Sequence, residues 1–307
     1  MKQLYELIRA LLDATIAQFW SVVHFFVSPA PKCVRGKVVL ITGAASPNGI
    51  GHWLAVKFAE LGSVLVLWDI DKLGLQATAE EIQTRNPDTK VFTFVCDVGE
   101  RESVYETANL VHSRVGDVDI LVNNAGIVNG RNFLDIPDEN LMKIFQVNLF
   151  AHFWTVKAFL PSMMRRDSGH VVNIASCAGL IGMNRLADYC STKFAAVGFT
   201  ESLRQEIQRD DKNIQTTLVC PYLIDTGMFT GCEAKFPALF PKLNPKLTAD
   251  RIMQAILTNQ HIVCIPRLIY IMSALKTILP VDVVSILSNF AGTSTFMDNF
   301  IGRQKAG

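Results

Sequence analysis

The chain has 307 residues, half of them apolar and 19% charged, with a formal net charge of +1. That length holds one large α/β domain with terminal additions or two small domains, and near-neutral charge excludes an electrostatic case for nucleic acid as a partner. Seven scattered cysteines (33, 96, 177, 190, 220, 232, 264) contain no Cys-x-x-Cys, so no disulfide framework or metal site is expected, and a reducing compartment is.

The N-terminus is apolar. From Ala14 to Pro31 there is no formal charge, and Phe19, Trp20, Val22, Val23, Phe25, Phe26 and Val27 crowd together. A helix of this core is roughly 20–25 Å long, short of the ~30 Å of bilayer hydrocarbon. Extending it back to Leu4 reaches spanning length but takes in Glu6, Arg9 and Asp13. A core helix and a cleaved signal peptide are the other readings, but the start is barely basic and no clear small-x-small site follows. Residues 1–35 are therefore expected to be a hydrophobic membrane-anchor segment that spans, lies flat or forms a hairpin. If it spans, Lys32, Arg35 and Lys37 favour a cytosolic catalytic domain.

After Gly36, strand and helix patterns alternate. Val38–Ile41 reads as a strand, His52–Leu61 as a helix, Val64–Leu67 as a strand and Lys72–Arg85 as a helix. Val91–Val95 is a third strand, Glu100–Val115 a helix and Ile120–Val122 a fourth strand. Leu141–Met164 is a long helix, Val171–Ile174 a strand, Tyr189–Gln208 a second long helix and Thr216–Val219 a sixth strand. This alternation predicts an α/β fold: a single Rossmann-type, doubly wound parallel sheet with ligands at the strands' carboxyl ends. Beyond Pro221 the pattern loosens. Thr226–Leu247 has no clear period and reads as a loop, and Ile262–Phe290 is a second apolar stretch broken by Pro266 and Pro280. Ordinary C-terminal packing and a membrane-facing surface explain that stretch equally well.

Several strand ends carry chemistry. In Thr42-Gly43-Ala44-Ala45-Ser46-Pro47-Asn48-Gly49-Ile50-Gly51, a strand, a glycine-rich turn and a helix follow in the order of a phosphate cradle, but five residues separate Gly43 from Gly49. Asp69, 18 residues past Gly51, closes the second strand, where an acid hydrogen-bonds ribose hydroxyls and repels a 2′-phosphate. It is otherwise a solvated acid at a strand end. Asp97, after the third strand, is placed to meet an adenine edge. Asn123-Asn124-Ala125-Gly126 follows the fourth strand and suits a backbone lying close to a ribose, or a simple turn. Tyr189 and Lys193 are four apart on a helix, so the ammonium stacks beside the phenol and favours the phenolate. Ser176 ends the fifth strand, 13 residues before Tyr189, and can hold a substrate oxygen beside it; a turn serine is the plainer reading.

In this order the motifs resemble the short-chain dehydrogenase/reductase family over residues 36–265, with a substrate loop at about 223–247 and a hydrophobic extension over 266–307. The resemblance implies one domain for cofactor and substrate. Tyr189 is then the general acid/base, Lys193 binds the nicotinamide ribose, Ser176 orients the substrate oxygen, and Asn148 on the long helix supports a proton relay. It also implies that Ser46, Ile50, Pro221 and Thr226 lie around the cofactor with Gly43, Gly49, Gly51, Asn124, Ala125 and Gly126. Leu65–Ile70, Ala151–Pro161, Lys193–Phe199, Ala187–Cys190 and Thr226–Cys232 resemble the branch acting on retinoids and 17β-hydroxysteroids. Members of that branch carry an N-terminal anchor to the endoplasmic reticulum or lipid droplets, and the family commonly pairs into homodimers through its two long helices. The expectation is an NAD-dependent (less so NADP) oxidation of a lipophilic alcohol, retinol ahead of a steroid. A catalytically silent lipid-droplet surface protein is the alternative of another class. Two departures stand out: Pro47-Asn48 lengthens the glycine loop by two residues, and Tyr222 follows Pro221 where many members have glycine.

Overall fold

A computed structural model describes residues 1–27 and 29–302; Ser28 and 303–307, parts of the expected anchor and C-terminal segments, lie outside the described residues. The chain divides between Cys33 and Val34. The first unit is one helix, α1 (Lys2–Phe26). No helix among the described residues is long and apolar enough to cross a membrane. In α1 the acidic and basic groups lie in the first half, with Arg9 and Asp13 paired at 4.0 Å one turn apart.

In the second unit, alternation along the strands decides the layering. In β1 (Val38–Thr42), Val39 and Ile41 enter one apolar cluster and Leu40 the other. The chain continues through α2 (Ile50–Glu60), β2 (Val64–Asp69), α3 (Lys72–Arg85), β3 (Val91–Val95), α4 (Arg101–Arg114) and β4 (Ile120–Asn123). There follow α5 (Asp138–Phe145), α6 (Ala151–Arg166), β5 (Gly169–Ile174), α7 (Ala187–Arg209) and β6 (Ile214–Pro221). The last elements are α8 (Pro245–Leu257), β7 (Ile262–Ile265), α9 (Leu268–Ile278) and α10 (Val281–Ala291). Among the described residues the strands form one parallel sheet in the order β3-β2-β1-β4-β5-β6-β7. Helices α2, α3 and α8 pack on one face, and α4, α6 and α7 on the other. This is the expected doubly wound Rossmann-type sheet.

Three details differ from the sequence reading. The long helix over 141–164 is helical from Asp138 to Arg166 but is interrupted by a π turn, Gln146–Phe150, that contains Asn148. The loop expected to end near 247 stops at Asn244, whose side chain accepts the Leu247 N–H and caps α8, with Pro245 in the first turn. The loop base is pinned by a bridge between Ile224 and Leu243. The apolar stretch from Ile262 opens with β7, which pairs with β6 and extends the sheet; only after it come α9 and α10.

Four buried polar side chains tie the middle of the sheet to both long helices. Thr155 of α6 donates to Asn123 Oδ1 (2.7 Å), Asn123 Nδ2 donates to Asn173 Oδ1 (2.9 Å), and Asn173 Nδ2 donates to Thr200 of α7 (2.9 Å). Asn123, read with the turn that follows it, thus belongs to the core. Asn173→Ala leaves buried partners unpaired on both sides, and is expected to cost about 1–3 kcal/mol in denaturant unfolding. A variant as stable as the parent would show that these groups re-pair or reach water.

Candidate active site

Strand order reverses between β1 and β4, which opens a crevice at their carboxyl ends. A cleft of about 270 Å³ fills it. Its floor is a meeting of two backbones. Thr42 Oγ1 accepts the N–H groups of Asn124 (2.9 Å) and Ala125 (3.1 Å), while Asn124 Nδ2 donates to the carbonyls of Thr42 (2.9 Å) and Gly43 (3.0 Å). This close approach requires glycine. Gly43 has φ +68°, and a Cβ on it would lie 2.8 Å from Ala125 Cα. A Cβ on Gly51 would collide with the Gly43 carbonyl oxygen and come within 2.7 Å of Asn124 Nδ2. Pro47 and Asn48 form the exposed tip of a turn closed by the Gly49 N–H on Ser46 O at 2.7 Å. The additional length therefore projects outward, and α2 begins directly behind it.

The cleft is lined by Gly43, Ser46, Gly49, Ile50, Asp69, Asp97, Asn124, Ala125, Gly126, Ser176, Tyr189, Lys193, Pro221 and Thr226 among the expected residues. Gly51 lies beneath the loop. Asp69 at the end of β2 accepts the N–H groups of Ala45 (3.0 Å) and Asp71 (3.1 Å), so the carboxylate is held in place. Asp97 accepts from Gly99 N–H at 2.8 Å and from Lys143 Nζ at 2.9 Å. Sequence reading missed Lys143, which lines the cleft from α5; a basic residue on an exposed helix carries no signal of its own. It also missed Ile127, Met228 and Phe229, apolar residues whose place depends on the fold.

At the other end, Tyr189 and Lys193 project from the first turns of α7. Tyr189 is 5% exposed and Lys193 3% exposed, and the ammonium lies 5.6 Å from the phenol ring centroid. Lys193 Nζ donates to the Ile174 carbonyl at 3.0 Å. Burial pulls its pKa down to about 8, with a smaller opposing effect from Cys220. Burial also pushes the Tyr189 phenol up, and the neighbouring Ser176 hydroxyl offsets only part of this. Burial thus opposes the phenolate expected beside the ammonium. Ser176 Oγ accepts the Ala178 N–H (3.1 Å) and faces the Pro221 carbonyl at 3.5 Å. Phe229 sets its ring edgewise on Tyr189 at 5.7 Å.

Asn148 stands behind this group. Its Oδ1 accepts the Ile127 N–H (2.8 Å), and its Nδ2 donates to Ile127 O (2.9 Å) and Thr192 Oγ1 (3.2 Å). It does not line the cleft, but a Cβ on Gly126 would lie 3.5 Å from Asn148 Oδ1 and 3.7 Å from Lys193 Nζ. The π turn brings the asparagine there, as such turns do at functional positions. One turn on, His152 is buried, and neither ring nitrogen has a hydrogen-bond partner among the described residues. Burial, with Lys193 nearby, holds its pKa at about 3, so it is neutral.

Comparison with known proteins fits this geometry. A short chain dehydrogenase family profile matches residues 37–235. Epidermal retinol dehydrogenase 2 of Homo sapiens is 46% identical over 306 residues, covering 99% of this chain and 94% of that one. Among solved structures, a short chain dehydrogenase/reductase from Burkholderia phymatum in complex with NAD has a TM-score of 0.72 at 26% identity, covering 80% of this chain and 94% of that one. An alcohol dehydrogenase from the archaeon Thermococcus sibiricus, complexed with 5-hydroxy-NADP, has a TM-score of 0.65 at 28% identity, covering 74% and 94%.

Gly51→Ala is expected to lower the thermal midpoint, because the nearest group in its way, the Gly43 carbonyl, is backbone and cannot swing aside. Gly198→Ala is the control. A Cβ there meets nothing within 4 Å, and the exchange in a helix gains about 0.5–1 kcal/mol. Equal midpoints for the two variants would mean that the loop yields and the packing argument is wrong.

Proposed function

Because the chain belongs to the short-chain dehydrogenase/reductase family, as an oxidoreductase acting on CH–OH groups, we propose that it oxidises a lipophilic alcohol with NAD, and that its substrate is all-trans-retinol, converted to all-trans-retinal. The observation that carries the substrate is the 46% identity, over almost the whole chain, to a human protein named as a retinol dehydrogenase. The walls agree with an apolar substrate: Ile127, Tyr222, Ile224, Met228 and Phe229 line the cleft that holds Ser176 and Tyr189.

The residues fit a nicotinamide dinucleotide. Glycines at 43, 49 and 51 keep side chains out of the cradle. Helix α2 has no side-chain cap at its N-terminus, so its first amide groups remain for a pyrophosphate. Asp69 uses one interaction on each oxygen and keeps acceptor capacity for ribose hydroxyls, which favours NAD over NADP. When bound, the nicotinamide supplies the hydride acceptor. In this reading Ser176 holds the substrate oxygen and Tyr189 takes the hydroxyl proton. Lys193, protonated below about pH 8, lowers the cost of the phenolate as it forms. Asn148 fixes the Ile127 backbone and α7 around them.

Residues 1–35 are proposed as an anchor to the endoplasmic reticulum membrane or a lipid droplet, with the 36–265 dehydrogenase domain facing the cytosol. The apolar run of α1 supports the anchor, and the exposed Ile271, Leu275, Ile278, Val281, Ile286 and Phe290 of α9 and α10 support a membrane-facing 266–307 extension. Pairing into a homodimer through α6 and α7 is supported by the ring cluster of Phe150, Phe153, Trp154 and Phe199, which is only partly buried.

The test is reduced-cofactor formation by membranes holding the full chain, with all-trans-retinol and with estradiol, each with NAD and with NADP. Retinol turnover with NAD that vanishes in Tyr189→Phe is the expected result. Turnover of estradiol alone moves the protein to the steroid reading, and dinucleotide binding without turnover leaves a silent surface protein. Since burial raises the Tyr189 pKa, the base form becomes more available with rising pH. The kcat/KM for oxidation is therefore expected to climb between pH 6 and about 8, the region in which Lys193 still carries its proton. A profile flat from pH 6 would place the phenol below neutrality and contradict the burial argument.

A further inference from the structure

The cleft does not end at Ser176 and Tyr189. A cavity of about 30 Å³ lies beside them, between Leu186, Tyr222, Leu223, Phe229 and Phe296. A second, also about 30 Å³, lies farther out between Cys177, Met183, Ile269, Met272, Ala291 and Phe296. Tyr222 borders both cavities and the main cleft. Its ring centroid lies 5.7 Å from that of Phe240 and 6.3 Å from that of Phe296. Burial holds its phenol up at about 12, so it stays neutral. Its backbone N–H donates to Ile265 O at 2.7 Å, so the ring can turn while the chain stays in place.

Each cavity holds little more than one or two waters, far too little for a lipid. What separates them is side chain. Tyr222 and Phe296, with Cys177 and Met183, line both cavities, and Met183 and Met272 bring flexible thioethers that adapt to a guest. The outer cavity lies between α9, at Ile269 and Met272, and the end of α10, at Ala291 and Gly292. The same two helices expose Ile271, Leu275, Ile286 and Phe290. A molecule leaving an apolar phase would therefore meet an apolar mouth.

We propose that these cavities are the closed form of a narrow apolar passage running from Ser176 and Tyr189, past Tyr222 and Phe296, to a mouth between α9 and the end of α10. It takes the slender chain of a terminal allylic alcohol lengthwise, and Tyr222 is the residue that excludes wide fused-ring alcohols. This deepens the proposed function and rests on it for the chemistry, while the binding it requires is independent of turnover.

The experiment is a length series of allylic alcohols, prenol, geraniol, farnesol and retinol, on the full chain in membranes, comparing the parent with Ala291→Phe. Ala291 lines the outer cavity but neither the inner cavity nor the main cleft that hold Ser176 and Tyr189, so prenol turnover doubles as the folding control. In the parent, kcat/KM is expected to rise along the series. In Ala291→Phe, prenol and geraniol are unchanged while farnesol and retinol lose about tenfold, chiefly in KM, the equivalent of burying roughly two fewer methylenes. Equal loss for every alcohol, or loss for none, overturns the passage. Tyr222→Ala is expected to raise estradiol turnover relative to retinol; an unchanged ratio removes Tyr222 as the selecting residue. Retinol binding by its own fluorescence separates the two proposals. If the parent oxidises no alcohol but binds retinol and Ala291→Phe weakens that binding, the passage stands and the proposed reaction falls. If binding is equal in both proteins, the passage falls whatever the turnover.

Discussion

Two strand ends have to meet with no side chain between them, and the site is built on that contact. Thr42 and Asn124 exchange side-chain hydrogen bonds with each other's backbone, drawing the carboxyl ends of β1 and β4 together where the strand order reverses. Gly43 turns the chain away with a positive φ, and Gly51 lets α2 start directly above its carbonyl. From there the geometry propagates. The start of α2 faces the crevice, and Asp69 reaches back from β2 to hold Ala45. Gly126, two residues past Asn124, lies beside both Asn148 and Lys193. A methyl group at either glycine would separate elements that several other residues depend on.

Burial sets the second constraint. Lys193 has no carboxylate partner among the described residues; a backbone carbonyl holds its ammonium, and its pKa falls to about 8. Tyr189 is desolvated in the same space, which penalises the phenolate. Both groups are thus moved in the directions that favour their neutral forms. His152 completes the picture by contributing no charge, because its burial is deep enough to keep it neutral beside a cation. A protonated imidazole there would depress Lys193 further. The cost of assembling these groups is carried by the polar network that ties β4 and β5 to α6 and α7 just below them.

What could be read from the sequence was what repeats or what has fixed spacing. Short β-branched strands alternating with helices foretold the sheet, and the glycine loop, Asp69, Ser176 and the Tyr189–Lys193 pair foretold one end of it. Asn123 and Asn124 show the limit: adjacent amides of one type, one buried between strands and one bracing the loop, separated only by the side to which each points. Asn148 has the same character, since its partners Ile127 and Thr192 are each at least 21 residues away. β7 was hidden because a four-residue apolar run can be strand or helix. α8 was legible but unread, because Asn244-Pro245 is a helix start signal that stood inside a stretch taken for loop. Lys193 and Tyr189 do lie together in the cleft, but no spacing rule reports how strongly burial acts on them.

The apolar C-terminal elements and the Ser176–Tyr189 end of the cleft look like separate matters, one of location and one of chemistry. Tyr222 makes them one. It follows the last residue of β6, its N–H is fixed to the last residue of β7, and its ring stands between the Ser176–Tyr189 space and the cavity under α9 and α10. A small residue there would merge these spaces into a broad, water-accessible hollow. An aromatic residue instead adds to the cover over Ser176 and Tyr189, and burial is what shifts Lys193 and Tyr189. In the proposed passage a substrate arriving along the slot would fill it with hydrocarbon as it enters, leaving both groups in their desolvated surroundings.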